Sequence, residues 1–137
     1  MLGTRILVAY DGAELSAKAL DTALQQLREN PQISVDVVFV EEVAPLRTGV
    51  EVVDEDIQRQ RDAIFNQLRD KVAAAETVKL HRLRGQNVSY VLLRFAEEHN
   101  CNLIVLGSRG LTGIREFLGS VSHAVVQHSL VPVLIIK

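Results

Sequence analysis

The residues best suited to chemistry cluster toward the C-terminal end of the chain. They are Gly107-Ser108-Arg109-Gly110 and, after eight intervening residues, Gly119-Ser120-Val121-Ser122. Gly107 and Gly110 tolerate positive φ and let a ligand approach the backbone closely. Gly119-Ser120 opens an apolar helical repeat. A helix start there offers free amides and a positive dipole end, which favour an anion such as phosphate. Ser120 and Ser122 add hydroxyl donors, and Arg109 and Arg115 add positive charge. Each charge-assisted bond is worth about 1.5–3 kcal/mol net. Three or four would hold a polyphosphate near micromolar affinity, about −8 kcal/mol. Plainer uses exist beside these: Ser120 as a helix cap, Arg109 and Arg115 as solvated loop charges. The segment is not a Walker loop, because no Gly-Lys-Ser/Thr closes it, and its glycine spacing is not that of a dinucleotide fingerprint.

A second candidate is Asp11-Gly12-Ala13-Glu14. The spacing fits a capping box at a helix start; Asp11 either caps, meets a ligand, or does both. Other reactive groups point to little. His123 and His128 are five residues apart, so they do not share a helix face, and no histidine pair has metal-ligand spacing. Cys101 is the single cysteine, which excludes an intrachain disulfide and reads as a small core residue. Ser108 lacks the Gly-x-Ser-x-Gly frame of a hydrolase nucleophile. Glu41-Glu42 and the acidic run 51–56 read as solvated loop and helix start.

These residues need a scaffold, and the chain alternates strand and helix patterns throughout. Ile6–Tyr10 is a short apolar run, as expected of a parallel strand buried on both faces. Residues 13–30 repeat Ala17, Leu20, Leu24 and Leu27 at helical spacing, with Asn30-Pro31 as the stop. Val35–Val40 is the second strand. Ile57, Ile64, Leu68, Val72 and Ala75 mark a long helix, and Lys79–Arg84 a third strand near a sheet edge. Gly85-Gln86-Asn87 is a turn. Val88, Val91, Leu92, Phe95 and Ala96 predict a third helix, with Asn100 as a left-handed stop. Leu103–Leu106 is a fourth strand, 120–129 a last helix, and Val131–Ile136 a final strand. Strands separated by helices imply right-handed crossovers and an α/β fold: a doubly wound, five-stranded parallel sheet in the flavodoxin-like order 3-2-1-4-5. Ligands of such sheets sit beyond the carboxyl ends of the strands, where the strand order reverses. The first and fourth strands end there, in Asp11-Gly12 and in Gly107–Gly110.

Three stretches together resemble the universal stress protein family, and the resemblance covers essentially the whole chain. They are Ile6–Gly12; Leu103–Gly113; and Gly119–Ser122 followed by Val131–Ile136. Gly107-x-x-Gly110 and Gly119-Ser120 are similar to the glycine motif of the ATP-binding branch. The resemblance implies ATP as ligand. It puts Ala9, Tyr10 and Asp11 around the adenosine, with Asp11 near adenine, and the Val40 backbone at adenine. It puts Leu106 and Gly107 at the ribose, and Arg109, Gly110, Gly119, Ser120, Val121 and Ser122 at the phosphates. Any Mg2+ would be held mainly through those phosphates. The family commonly dimerises. One departure is the eight-residue spacing of 111–118, one short of the family's nine, and a second is Ala13 where many members carry Ser.

Composition sets the remaining expectations. The chain has 137 residues, 47% hydrophobic and 23% charged, as expected of one domain spanning 1–137. Its net charge of −2 argues against nucleic acid as a partner. No apolar run approaches a membrane span of about 20 residues. An early strand leaves no room for a signal peptide, so a cytoplasmic location is expected. The functional expectation is an ATP-binding stress-response or regulatory protein, a nucleotide-dependent switch or partner-binding module with at most slow ATP hydrolysis or autophosphorylation. The other reading is a non-nucleotide adaptor on the same fold. A phosphorelay receiver is disfavoured, because it needs an acidic cluster and a Lys at the strand ends, and the fifth strand here ends in Ile135-Ile136-Lys137. The last strand, apolar and uncharged before Lys137, is an unguarded edge that predicts a homodimer.

Overall fold

A computed structural model of the chain describes residues 3–44, 54–75, 77–110 and 118–137. Strands β1 (Arg5–Ala9), β2 (Ser34–Glu42), β3 (Val78–Gly85), β4 (Leu103–Gly107) and β5 (Val133–Ile136) form one parallel sheet, ordered β3-β2-β1-β4-β5. The order is the flavodoxin-like one expected for this doubly wound sheet. The helices are α1 (Glu14–Glu29), α2 (Glu55–Val72), α3 (Val88–Glu98) and α4 (Ser120–His128).

Alternation along each strand divides the core. Ile6, Val8, Val35, Val37 and Val105 face one side, where they pack with Leu20, Ala23 and Leu68 of α1 and α2. Leu7, Val38, Ile104 and Leu106 face the other, against Leu92, Phe95 and Val125 of α3 and α4. Each fully buried aliphatic side chain contributes about 1.5–3 kcal/mol. Both faces are covered, which explains why the central strands are continuous apolar runs. Cys101 lies in the second cluster, as expected of a small core residue.

Three local expectations are corrected. Glu41-Glu42 is not a solvated loop: β2 continues through Glu42, and Glu41 is buried, its carboxylate accepting from Arg82 of β3. Asp11 does not form a capping box: α1 is capped at Ala13 with no side-chain bond. Instead Asp11 Oδ1 accepts the Ala13 N–H at 2.9 Å, and buried Ser16 donates its hydroxyl to the Ala13 carbonyl at 2.9 Å. Ser16 Oγ also accepts the Asp11 N–H at 3.3 Å, the backward reach expected of Glu14. The last strand begins at Val133 rather than Val131. Pro132 has no N–H to give, but its carbonyl accepts the Ile104 N–H at 3.1 Å. Asn30 and Asn100 end their helices as expected, Asn100 with φ 55°. Among the described residues, no helix is long and apolar enough to cross a membrane.

Candidate functional site

The sheet opens at the carboxyl ends of β1, β2 and β4 into a cleft of about 690 Å3, within the range of small-ligand sites, roughly 300–1,000 Å3. Every residue that the family resemblance assigns to the site lines it. Ala9 ends β1 and Tyr10 and Asp11 follow it, Val40 lies in β2, and Leu106 and Gly107 end β4. Arg109 and Gly110 form the turn after β4, and Gly119, Ser120, Val121 and Ser122 come in at the start of α4. Arg115, Thr112 and Gly113 lie outside the described residues, as does all of the eight-residue spacing except Leu118.

Of the four helix starts, α2 and α3 carry a side-chain cap, whereas α1 and α4 do not. Asp54 caps α2, accepting from Asp56 and Ile57 N–H, and Asn87 caps α3, accepting from Tyr90 N–H. At α4 the cap position is Gly119, with no side-chain bond to the helix amides. Ser120 is therefore the first residue of α4 and not its cap. The first amides of a helix have no partner inside the helix. Here they open on the cleft beside Arg109, as an anion site requires.

The base of this turn is tied shut. Gly119 N–H donates to the Ser108 carbonyl at 2.7 Å, so the two flanks of the 109–118 segment meet regardless of its length. The glycines have a different rationale from the expected positive φ. Among the described glycines only Gly12 has it, at 88°. A Cβ on Gly107 would stand 2.7 Å from Leu15 Cβ, so the missing side chain admits α1. On Gly119 it would stand 3.2 Å from the Arg109 Cα, a backbone neighbour that cannot turn aside.

A wall of the cleft was not legible from sequence. Ile57, Gln60, Arg61 and Ile64 of α2 face it, with Val88 and Leu92 from α3. Arg61 donates to the Glu42 carbonyl at 2.6 Å, and Arg82 donates to Asp62 at 2.6 Å and to buried Glu41. These bonds hold α2 over the ends of β2 and β3. The hydrogen bond from Arg82 keeps Asp62 below the usual carboxylate range, and that bond likewise raises Arg82. Arg61 sits in a Gln-Arg-Gln-Arg stretch that reads as a solvated helix face; only packing across the sheet gives it a place. Burial, and then the charges of Asp11 and Asp21, push the Tyr10 phenol above its ordinary value. It remains a protonated hydroxyl at neutral pH. Among the described residues, no group of three His, Cys, Asp or Glu is arranged to hold a metal ion.

The cleft thus joins apolar side chains to an uncapped helix start. The Universal stress protein family model matches residues 3–137. Universal stress protein YxiE of Bacillus subtilis is 32% identical over 150 residues, covering 97% of this chain and 98% of that protein. A solved universal stress protein in complex with cAMP superposes with a TM-score of 0.72 at 23% identity, covering 100% of this chain and 98% of that one. The universal stress protein of Archaeoglobus fulgidus in complex with dAMP superposes with a TM-score of 0.66 at 25% identity, each chain covered in full, at 100%. A match along nearly the whole length, in sequence and in strand order, establishes that the chain belongs to the universal stress protein family.

Proposed function

We propose that the cleft binds an adenine nucleotide, ATP in particular, and that occupancy makes the protein a nucleotide-dependent switch or partner-binding module. One observation carries the reading: the uncapped start of α4, Arg109 and an apolar wall of Val40, Leu92 and Leu106 line the same cleft. The apolar wall suits a base, and the amides with Arg109 suit phosphates. The dAMP and cAMP held by the two structural relatives support an adenine ligand. ATP extends that reading by the added phosphates, for which Gly110, Gly119 and Ser120 are the candidates. Asp11, Ala9 and Tyr10 border the adenosine in this reading, with Gly107 at the ribose and Val121 and Ser122 in the first turn behind the phosphates. Mg2+ would be held mainly by the phosphates.

The Gly119–Ser108 bond favours this reading over the adaptor, because it closes the turn despite the shortened spacing. Mass spectrometry of freshly purified, denatured protein tests it. The expected result is released adenine nucleotide in near-stoichiometric amount, or its uptake after incubation with ATP. Neither release nor uptake would favour the adaptor.

A further inference from the structure

We propose that Ser122 is a positioning residue: its hydroxyl fixes the start of α4 against the Ser108 carbonyl and does not itself meet the ligand. The proposal rests on the reading of the cleft as a nucleotide site, and it changes the role that family resemblance implies for Ser122. Ser122 is only 2% exposed. Its hydroxyl donates to the Ser108 carbonyl at 2.7 Å, with the Gly119 carbonyl the second acceptor at 3.0 Å. A serine hydroxyl has a single proton to give, and here two backbone carbonyls already compete for it. None is left for a phosphate oxygen.

The acceptor is itself held firmly. Ser108 is buried, and its N–H donates to the Ile136 carbonyl of β5 at 2.7 Å. Its carbonyl accepts from both Gly119 N–H and the Ser122 hydroxyl. A strut therefore runs from the edge strand through the Ser108 peptide to the first turn of α4. Arg109 and Gly110 follow Ser108 directly, so the strut sets the distance between that turn and the α4 amides. Ser120, exposed at the cleft, is the hydroxyl left to meet a phosphate.

Two variants and two readouts test the assignment: ATP affinity by calorimetry, and amide hydrogen exchange of Gly119 in the ligand-free protein. Ser122→Ala should weaken ATP roughly tenfold, the worth of one lost hydrogen bond. It should also speed Gly119 exchange severalfold before any ligand is added, because the Gly119–Ser108 bond loses its neighbour. Ser120→Ala should weaken ATP and leave Gly119 exchange unchanged. A Ser122→Ala protein that loses affinity with Gly119 exchange unaltered would make Ser122 a direct ligand contact and overturn the proposal. Unaltered exchange and unaltered affinity would overturn it equally. If wild-type protein takes up no ATP, the nucleotide reading fails, while the exchange experiment still decides whether Ser122 holds α4.

Discussion

Asp11 and Gly110 meet across the mouth of the cleft: a Cβ on Gly110 would come within 2.6 Å of Asp11 Oδ2. The other oxygen of that carboxylate holds the Ala13 N–H. The glycine turn after β4 and the start of α1 are thus fitted to each other through one side chain.

Gly110→Ala should therefore act through Asp11. The new methyl would push the carboxylate aside and break its bond to Ala13. Nucleotide affinity should fall at least tenfold, about 1.4 kcal/mol. The melting temperature should fall by roughly 4 °C if about 1 kcal/mol of stability is lost. Asp11→Asn keeps an acceptor for Ala13 and should cost less affinity than Gly110→Ala. Calorimetry and thermal melts on both variants check the order; a larger loss for Asp11→Asn would contradict it.

The edge strand predicts self-association. Pro132 and Ile136 turn their carbonyls toward β4, where Ile104 and Ser108 donate to them. Backbone groups alternate along a parallel strand, so Val133 and Ile135 present theirs to the open edge. Light scattering should find a dimer at micromolar concentration. Ile135→Pro should give a folded monomer by circular dichroism, because it removes an outward N–H and spares the β4 ladder. A wild-type monomer would remove this prediction.

Cys101 should make stability fall in alkali. Burial, with a smaller push from Asp36 partly offset by Arg5, raises its thiol to about 11. A raised acid pKa means the folded state holds the proton more tightly than the unfolded chain. The stabilisation is complete below the unfolded value of about 8.5 and is lost as pH climbs through about 11. Urea midpoints measured from pH 8.5 to 11 should fall more steeply for wild type than for Cys101→Ser. Parallel slopes would show that Cys101 titrates as it does when unfolded.

Catalysis should be slight. Among the described residues, the cleft holds no His and no Lys, and phosphoryl transfer depends on positioned cations and an oriented nucleophile. Incubation with Mg-ATP should give at most a few turnovers per hour, a level set by positioning alone. A turnover number near 10 per second, the enzyme median, would contradict this.

Most element positions are legible because the sheet is buried on both faces, and the strand order is that of the flavodoxin-like class which the alternation of strands and helices suggests. Ile6–Ala9 and Leu103–Leu106 are short apolar runs bounded by turn residues, which reads as buried central strands. Strand ends and glycines mark Asp11-Gly12, Gly107–Gly110 and Gly119-Ser120 as places where the chain turns, whereas Ala9, Tyr10, Val40, Leu106 and Val121 are named only by the family resemblance. What escapes is set by packing between distant segments. Gly107, Gly110 and Gly119 are legible as sites of close approach, but not as neighbours of Leu15, Asp11 and Arg109. Ser16 displaces Glu14 as the residue that reaches back to Asp11, because α1 starts after Ala13. Arg61 and Gln60 enter the cleft only because Arg82 and the Glu42 carbonyl hold α2 across the sheet.

The central claim, that this cleft holds ATP, is tested most directly by calorimetric titration of ATP into wild-type protein and Gly119→Val. The variant places a stiff β-branched side chain where Cβ already meets the Arg109 Cα at 3.2 Å. The expected wild-type dissociation constant is micromolar, and the variant should lose about 3 kcal/mol, over a hundredfold. Millimolar or absent binding by the wild type would contradict the account, and equal affinities would contradict the placing of phosphate at the start of α4.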